Sequence, residues 1–174
     1  MKTLMDDSAV QSFDVAIGKA PHLLILGSIP GIKSLQESAY YAHPRNTFWP
    51  IISQLYALDN NAPYAKKLAQ LNESGVALWD VAQECVRPGS LDSNIKQSSV
   101  LANPIPALLT DYPSITAIAF NGQAAEKLFK RHHPKLLNNS NYQFYSLPST
   151  SPAHASLTFE QKLTAWSIIL ETRN

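Results

Sequence analysis

Three short apolar runs constrain this chain more than any other feature. They are HLLIL at residues 22–26, GVALWD at 75–80 and ITAIAF at 115–120. Each is continuous rather than alternating, and each stops at a glycine, an aspartate or an Asn-Gly pair. A strand that reads this way is covered on both faces, as in a parallel sheet. A fourth run, NYQFYSL at 141–147, alternates and stops at Pro148. Helical stripes lie between the runs. Residues 47–55 carry Phe48, Ile51, Ile52 and Leu55 on one face, and 64–71 and 123–130 read as further helices. A helix is expected within 100–110, where Pro104 and Pro106 limit its start. Residues 158–172 form a closing helix, with Thr158 as cap and Leu163, Trp166, Ile169 and Leu170 inward. Strands alternating with helices predict a three-layer α/β/α sandwich around a central, mainly parallel four-stranded sheet.

A chain of 174 residues fits one domain, 1–174, with a real core. Hydrophobic residues make up 45% and charged ones 16%, which excludes a disordered chain. No apolar run approaches the roughly 20 residues of a membrane span. The stretch from Met1 to Val10 carries Asp6 and Asp7 and has no apolar segment, so no secretory signal is expected. The reading is a cytoplasmic monomer, with no membrane contact and no obligate protein partner. Cys85 is the only cysteine, which excludes an intrachain disulfide or a cysteine-based metal site. His132 and His133 are adjacent and lack a partner pattern, so no metal is expected there. The net charge of +1 means that any phosphate-binding surface must be local. KLFKRHHPK at 127–135 is the densest basic stretch. It reads first as the solvated end of a helix and second as an attractor of phosphates.

In open α/β sheets ligands gather at the carboxyl ends of the strands. The loops there are 27–46, 81–94, 121–122 and 148–154. The first opens with Gly27, Ser28, Ile29, Pro30 and Gly31. Glycine permits close backbone approach, and successive N–H groups can form an anion nest. The turn is neither a dinucleotide-binding glycine motif nor a phosphate loop. YYAHPRNTFW at 40–49 follows, where Tyr40 and Tyr41 offer stacking platforms for a base. Trp49 and Phe48 have core character, and Asn46 suits a helix start while still able to meet a ligand. The last loop is LPSTSPAHAS at 147–156, within a stretch from 136 to 159 that contains no Asp, Glu, Lys or Arg. Small hydroxyls between prolines make a rigid neutral loop that can grip phosphates through Ser149, Thr150, Ser151 and Ala153. Asn121-Gly122 ends the third strand and is explained equally by a turn or by a place beside a base. The segment 87–94 is a long polar loop. Asp80 closes the second strand, where an aspartate is more often structural than catalytic.

The ordered set GSIPG (27–31), PRNTFW (44–49) and LPSTSPAHA (147–155) resembles the uracil-DNA glycosylase superfamily. The nearest branch is the hypoxanthine-DNA glycosylase one, with the mismatch-specific uracil/thymine glycosylases more distant. The resemblance implies a cofactor-independent enzyme on double-stranded DNA containing a damaged base, hypoxanthine first and uracil second. Other branches carry a polar residue third in the first motif, where this chain has Ile29. The branch's proposed catalytic asparagine falls on Asn46. Gly27 to Gly31, Tyr40, Tyr41, Phe48 and Asn121 are then expected around the base, and Asn94 is a further candidate there. His43 or His154 is a candidate to protonate a leaving purine. Lys33 has no desolvated setting for Schiff-base chemistry, so hydrolysis without strand cleavage is expected. Two other classes compete. One is a non-catalytic nucleotide- or sugar-phosphate-binding module. The other is a small hydrolase using Ser28 or Ser151 with His154, for which no flanking signature speaks.

Overall fold

The computed structural model describes residues 8–173. The expectation of no secretory signal rests largely on Met1–Asp7, outside the described residues. The four strands foreseen are all present as β2 (Leu23–Gly27), β3 (Val76–Asp80), β6 (Ala117–Asn121) and β7 (Gln143–Leu147). They form one sheet in the order β3-β2-β6-β7, and every pairing is parallel. The continuous apolar runs follow from this arrangement, since every residue of β2 and β3 is buried.

Alternate residues of each strand feed two separate cores. Leu23, Ile25, Val76, Leu78, Ala117 and Ala119 pack against α2 (Phe48–Tyr56), α3 (Tyr64–Glu73) and α6 (Phe159–Trp166). Leu24, Leu26, Ala77, Trp79, Ile118 and Phe120 pack against α4 (Ile105–Asp111) and α5 (Gln123–His132). The result is the expected sandwich. The crossover from β2 to β3 therefore runs over one face and that from β6 to β7 over the other. The point between β2 and β6 where the windings diverge opens a crevice at the strands' carboxyl ends.

Three features were not foreseen. A second, antiparallel sheet joins β1 (Ala9–Gln11), β4 (Ala82–Val86) and β5 (Leu101–Ala102) in the order β1-β4-β5. Only Val81 separates β3 from β4, so the chain passes from one sheet to the other directly after Asp80. A short helix, α1 (Ile32–Glu37), follows the first loop. The helix expected over 100–110 begins only at Ile105, because residues 101–102 pair with β4 and two prolines follow. The closing helix is capped as foreseen: Thr158 accepts from the Gln161 amide while the Gln161 side chain accepts from the Thr158 amide. It tightens to 3₁₀ geometry over Ser167–Thr172.

Among the described residues no helix is long and apolar enough to cross a membrane. The basic stretch 127–135 lies at the end of α5 and in the 3₁₀ turn Pro134–Asn138. Because α5 runs back from the carboxyl end of β6, this stretch sits at the opposite edge of the sheet from the crevice.

Candidate active site

A cavity of about 450 Å³ occupies the crevice. Its wall includes Gly27 to Gly31, Tyr40, Tyr41, His43, Asn46, Asp80, Asn121 and residues 149–153. Loops far apart in sequence are thus brought together, and specific bonds hold them. Thr150 N–H donates to Asn121 Oδ1 at 3.0 Å, and Asn121 Nδ2 donates to Thr150 Oγ1 at 3.0 Å. Thr47 N–H donates to the Thr150 carbonyl at 3.0 Å. Trp166 Nε1 donates to the Pro148 carbonyl at 2.9 Å, and the buried Lys162 Nζ donates to the His154 carbonyl at 2.7 Å. Gly122 turns the corner with φ of +92°, and a Cβ there would lie 3.0 Å from Ser149 Cβ. Gly122→Ala is therefore expected to lose about 1–3 kcal/mol of stability in thermal unfolding.

The first loop is clamped from the other side by residues 87–92. Arg87 is buried, 3% exposed. Its guanidinium donates to the carbonyls of Pro30 (2.8 Å), Gly89 (2.9 Å) and Ile29 (3.4 Å). Ser28 Oγ donates to Asp92 Oδ1 at 2.6 Å, and Ile32 N–H donates to Ser90 Oγ at 3.0 Å. Ser90, Leu91 and Asp92 join the cavity wall.

At the buried end stands Asp80, 3% exposed, with its Oδ2 unpartnered. Burial, and next the charge of Asp92, push its carboxyl up to about 7, while Arg87 pulls it down. Gly27 leaves the space for this group: a Cβ at that position would lie 2.6 Å from Asp80 Oδ1 and 3.1 Å from the Tyr41 hydroxyl. Tyr41 holds a left-handed backbone, φ +57°, and its hydroxyl is buried with no hydrogen bond of good geometry. Burial first, then Asp80, raises the Tyr41 phenol far above its ordinary value, with Asn121 acting in the opposite direction.

The pattern of the uracil DNA glycosylase superfamily matches residues 16–169. The chain belongs to this superfamily. It is 32% identical to the hypoxanthine DNA glycosylase of Methanosarcina acetivorans over 147 residues, 83% of this chain and 87% of that one. It is 28% identical to the hypoxanthine DNA glycosylase of Methanosarcina barkeri, over 90% of this chain and 95% of that protein. A solution NMR structure from Methanosarcina acetivorans, described as a uracil DNA glycosylase, superposes with a TM-score of 0.76 at 30% identity. That match covers 94% of this chain and 99% of the other.

Within this superfamily member the foreseen site residues separate into two groups. Asn46, His43, Tyr40, Tyr41, Asn121, Gly27 to Gly31, Ser149, Thr150, Ser151 and Ala153 all reach the cavity wall. Phe48 does not: its ring is fully buried beneath Tyr41, stacked with centroids 4.1 Å apart. His154 also lies off the wall, with Nε2 3.4 Å from Ser156 Oγ. Asn94 is likewise absent from the wall and donates to the Pro88 carbonyl at 3.4 Å. Tyr40 is tied into the scaffold, its hydroxyl donating to the Asp14 carbonyl at 3.1 Å and its own carbonyl accepting from Trp49 Nε1 at 2.9 Å. Tyr41 is the tyrosine with a spare polar atom. In the last loop, Thr150 N–H is spent on Asn121, Ser151 N–H on Ser149 Oγ and Ala153 N–H on Ser151 Oγ. Three of the four backbone donors expected to grip phosphates there are thus engaged internally, leaving the Ser149 N–H and the hydroxyl protons of Ser149 and Ser151.

Sequence reasoning set Asp80 aside and did not single out Arg87 or Asp92. The strand-end position of Asp80, opposite Gly27 in the β2–β3 register, was the available signal. Among the described residues no cluster of three His, Cys, Asp or Glu side chains is placed to hold a metal ion. Tyr41→Phe is expected to leave stability unchanged or slightly higher, because it removes an unsatisfied buried hydroxyl. Thermal unfolding checks this, and a marked drop in Tm would show that the hydroxyl is bonded in the free protein.

Proposed function

We propose that this chain is a monofunctional DNA glycosylase that removes a deaminated base from duplex DNA, hypoxanthine ahead of uracil. The observation that carries the proposal is the position of Asn46 on the wall of a switch-point cavity, beside Tyr41 and the two clamped loops. The names of the two Methanosarcina relatives favour hypoxanthine. Ile29 agrees with this, since an apolar side chain on the wall cannot orient a water as a polar one would.

The target base leaves the stack at a cost of a few kcal/mol, less when it is mispaired. Tyr41 receives it on a ring whose other neighbour is Phe48, a rigid support; base–aromatic stacking contributes about 1–3 kcal/mol. Asn46 Oδ1 accepts from Phe48 N–H at 2.9 Å, which fixes the side chain and leaves its second lone pair for the attacking water. Its contribution is orientation and electrostatics, because an amide is a poor base. His43 Nδ1 accepts from Arg45 N–H at 3.0 Å, so the neutral ring carries its proton on Nε2 and can donate to the DNA or the base. Ser149 and Ser151 hydroxyls contact the phosphate backbone. Lys33 is half exposed and paired with Glu37 at 3.0 Å, which speaks for water rather than an amine as nucleophile.

The test is incubation with labelled duplexes bearing one hypoxanthine, uracil or xanthine, followed by alkali. Cleavage at hypoxanthine that appears only after alkali is the expected result. Preference for uracil would reverse the order of substrates. Binding of every duplex without release of any base would instead favour a non-catalytic binding module.

A further inference from the structure

The mechanism above leaves the most unusual group of the cavity unused. Asp80 is a carboxylic side chain with one oxygen buried and unpartnered, on the wall of a cavity of about 450 Å³. The fold keeps room for it, since Gly27 is the residue opposite and a methyl there would strike Oδ1. The backbone around it is fully tied. The Asp80 carbonyl accepts from Asn103 Nδ2 at 2.8 Å, and Val81 N–H donates to the Gly27 carbonyl at 2.9 Å. The backbone that carries the carboxyl is therefore fixed by bonds that do not involve the carboxyl itself. A buried acid left without a partner costs stability unless something is gained when a ligand arrives.

We propose that the Asp80 carboxylic acid gives its proton to the departing purine. This rests on the glycosylase reading and adds to it a group for the leaving side of the reaction. The C1′–N9 bond breaks with its electron pair going to N9. The Asp80 proton passes to a ring nitrogen of the base, which departs neutral. Water supplies the hydroxyl that bonds to C1′, and its proton returns to the Asp80 carboxylate through solvent. A neutral acid near the working pH is suited to this role, because donor and base are then closely matched. The groups facing Asp80 are Asp92 and Arg87 from the loop after β4, and Tyr40 and Tyr41 from the segment after α1. Asp92 favours the protonated acid and Arg87 the carboxylate, while both phenols stay neutral far above pH 7.

The experiment measures single-turnover release from a hypoxanthine duplex between about pH 5 and pH 9 for the natural protein and Asp80→Asn. The natural enzyme is expected to slow as pH rises through about 7, the value at which Asp80 gives up its proton. Asp80→Asn is expected to be at least about 100-fold slower at pH 6 and to lose that limb. A second duplex carries N7-methylated hypoxanthine, a cationic base that departs without added proton. The variant should release it at nearly the natural rate, which also shows that the variant is folded. Unchanged rate and pH profile in Asp80→Asn would overturn the inference and leave the glycosylase reading intact. Equal slowing on the cationic base would also overturn it, assigning Asp80 to positioning alone. A natural protein inactive on every duplex would overturn the glycosylase reading and this inference together.

Discussion

Asn46→Ala is expected to release hypoxanthine about 10²–10³-fold more slowly than the natural protein, with duplex affinity nearly unchanged. The loss falls on the chemical step because the amide is assigned to the water and not to the base. The same side chain has a second duty, accepting the Phe48 N–H at the start of α2. Removing it should therefore also cost about 1 kcal/mol of stability. Asn46→Asp separates the two effects. It keeps the acceptor and should unfold at the natural temperature, so any rate difference between it and the natural protein reports on the site rather than on the helix. The measurements are single-turnover rates and thermal unfolding of both proteins. A natural rate in a folded Asn46→Ala would remove this residue from the chemistry.

Arg87→Ala is expected to destabilise the protein by about 3–5 kcal/mol, since each buried carbonyl left without its donor costs about 1–3 kcal/mol. Three carbonyls would lose their donor, and two of them, Ile29 and Pro30, form the first loop of the site. Asp80 would lose the nearby positive charge that favours its ionised form. The Asp80 carboxyl should consequently titrate higher than in the natural protein. Urea unfolding checks the first expectation, and NMR titration of the Asp80 side-chain carbon checks the second. An Arg87→Lys variant should recover little, since one ammonium cannot reach the three carbonyls that a planar fork spans. A Cm close to that of the natural protein would show that the loop holds itself without the guanidinium.

The parallel sheet was legible because burial on both faces forces unbroken apolar runs, and those runs stand out against a chain of modest charge. The second sheet was not. β4 reads Ala-Gln-Glu-Cys-Val, with Gln83 exposed and Glu84 half-buried, and its partners β1 and β5 span only three and two residues. Such short pieces are strands only because of what lies beside them. The cavity wall was legible where its residues cluster in a motif, as in 27–31, 40–46 and 149–153. Phe48 belongs to the same motif, but the α2 stripe turns it into the core under Tyr41. His154 sits past the point where the last loop leaves the wall. Arg87 and Asp92 act across 57 to 64 residues of chain, through bonds to backbone carbonyls and to a serine that no local spacing announces. Asp80 was visible as a residue, but its unpartnered oxygen is a property of packing alone.

The direct passage from β3 through Val81 into β4 has a consequence for motion. The amides of Val81 and Ala82 donate to the carbonyls of Gly27 and Ser28 at 2.9 and 3.0 Å, and Asn103 N–H donates to the Val81 carbonyl at 2.8 Å. This corner is shared by both sheets, so it can open only if the two separate together. Its amide protons should therefore exchange with solvent as slowly as those at the centre of β2, through global unfolding rather than local breathing. Residues 151–156, held at a few points, should exchange much faster. The floor of the cavity would then keep one shape whether or not DNA is present, and accommodation of different lesions would fall to the rim.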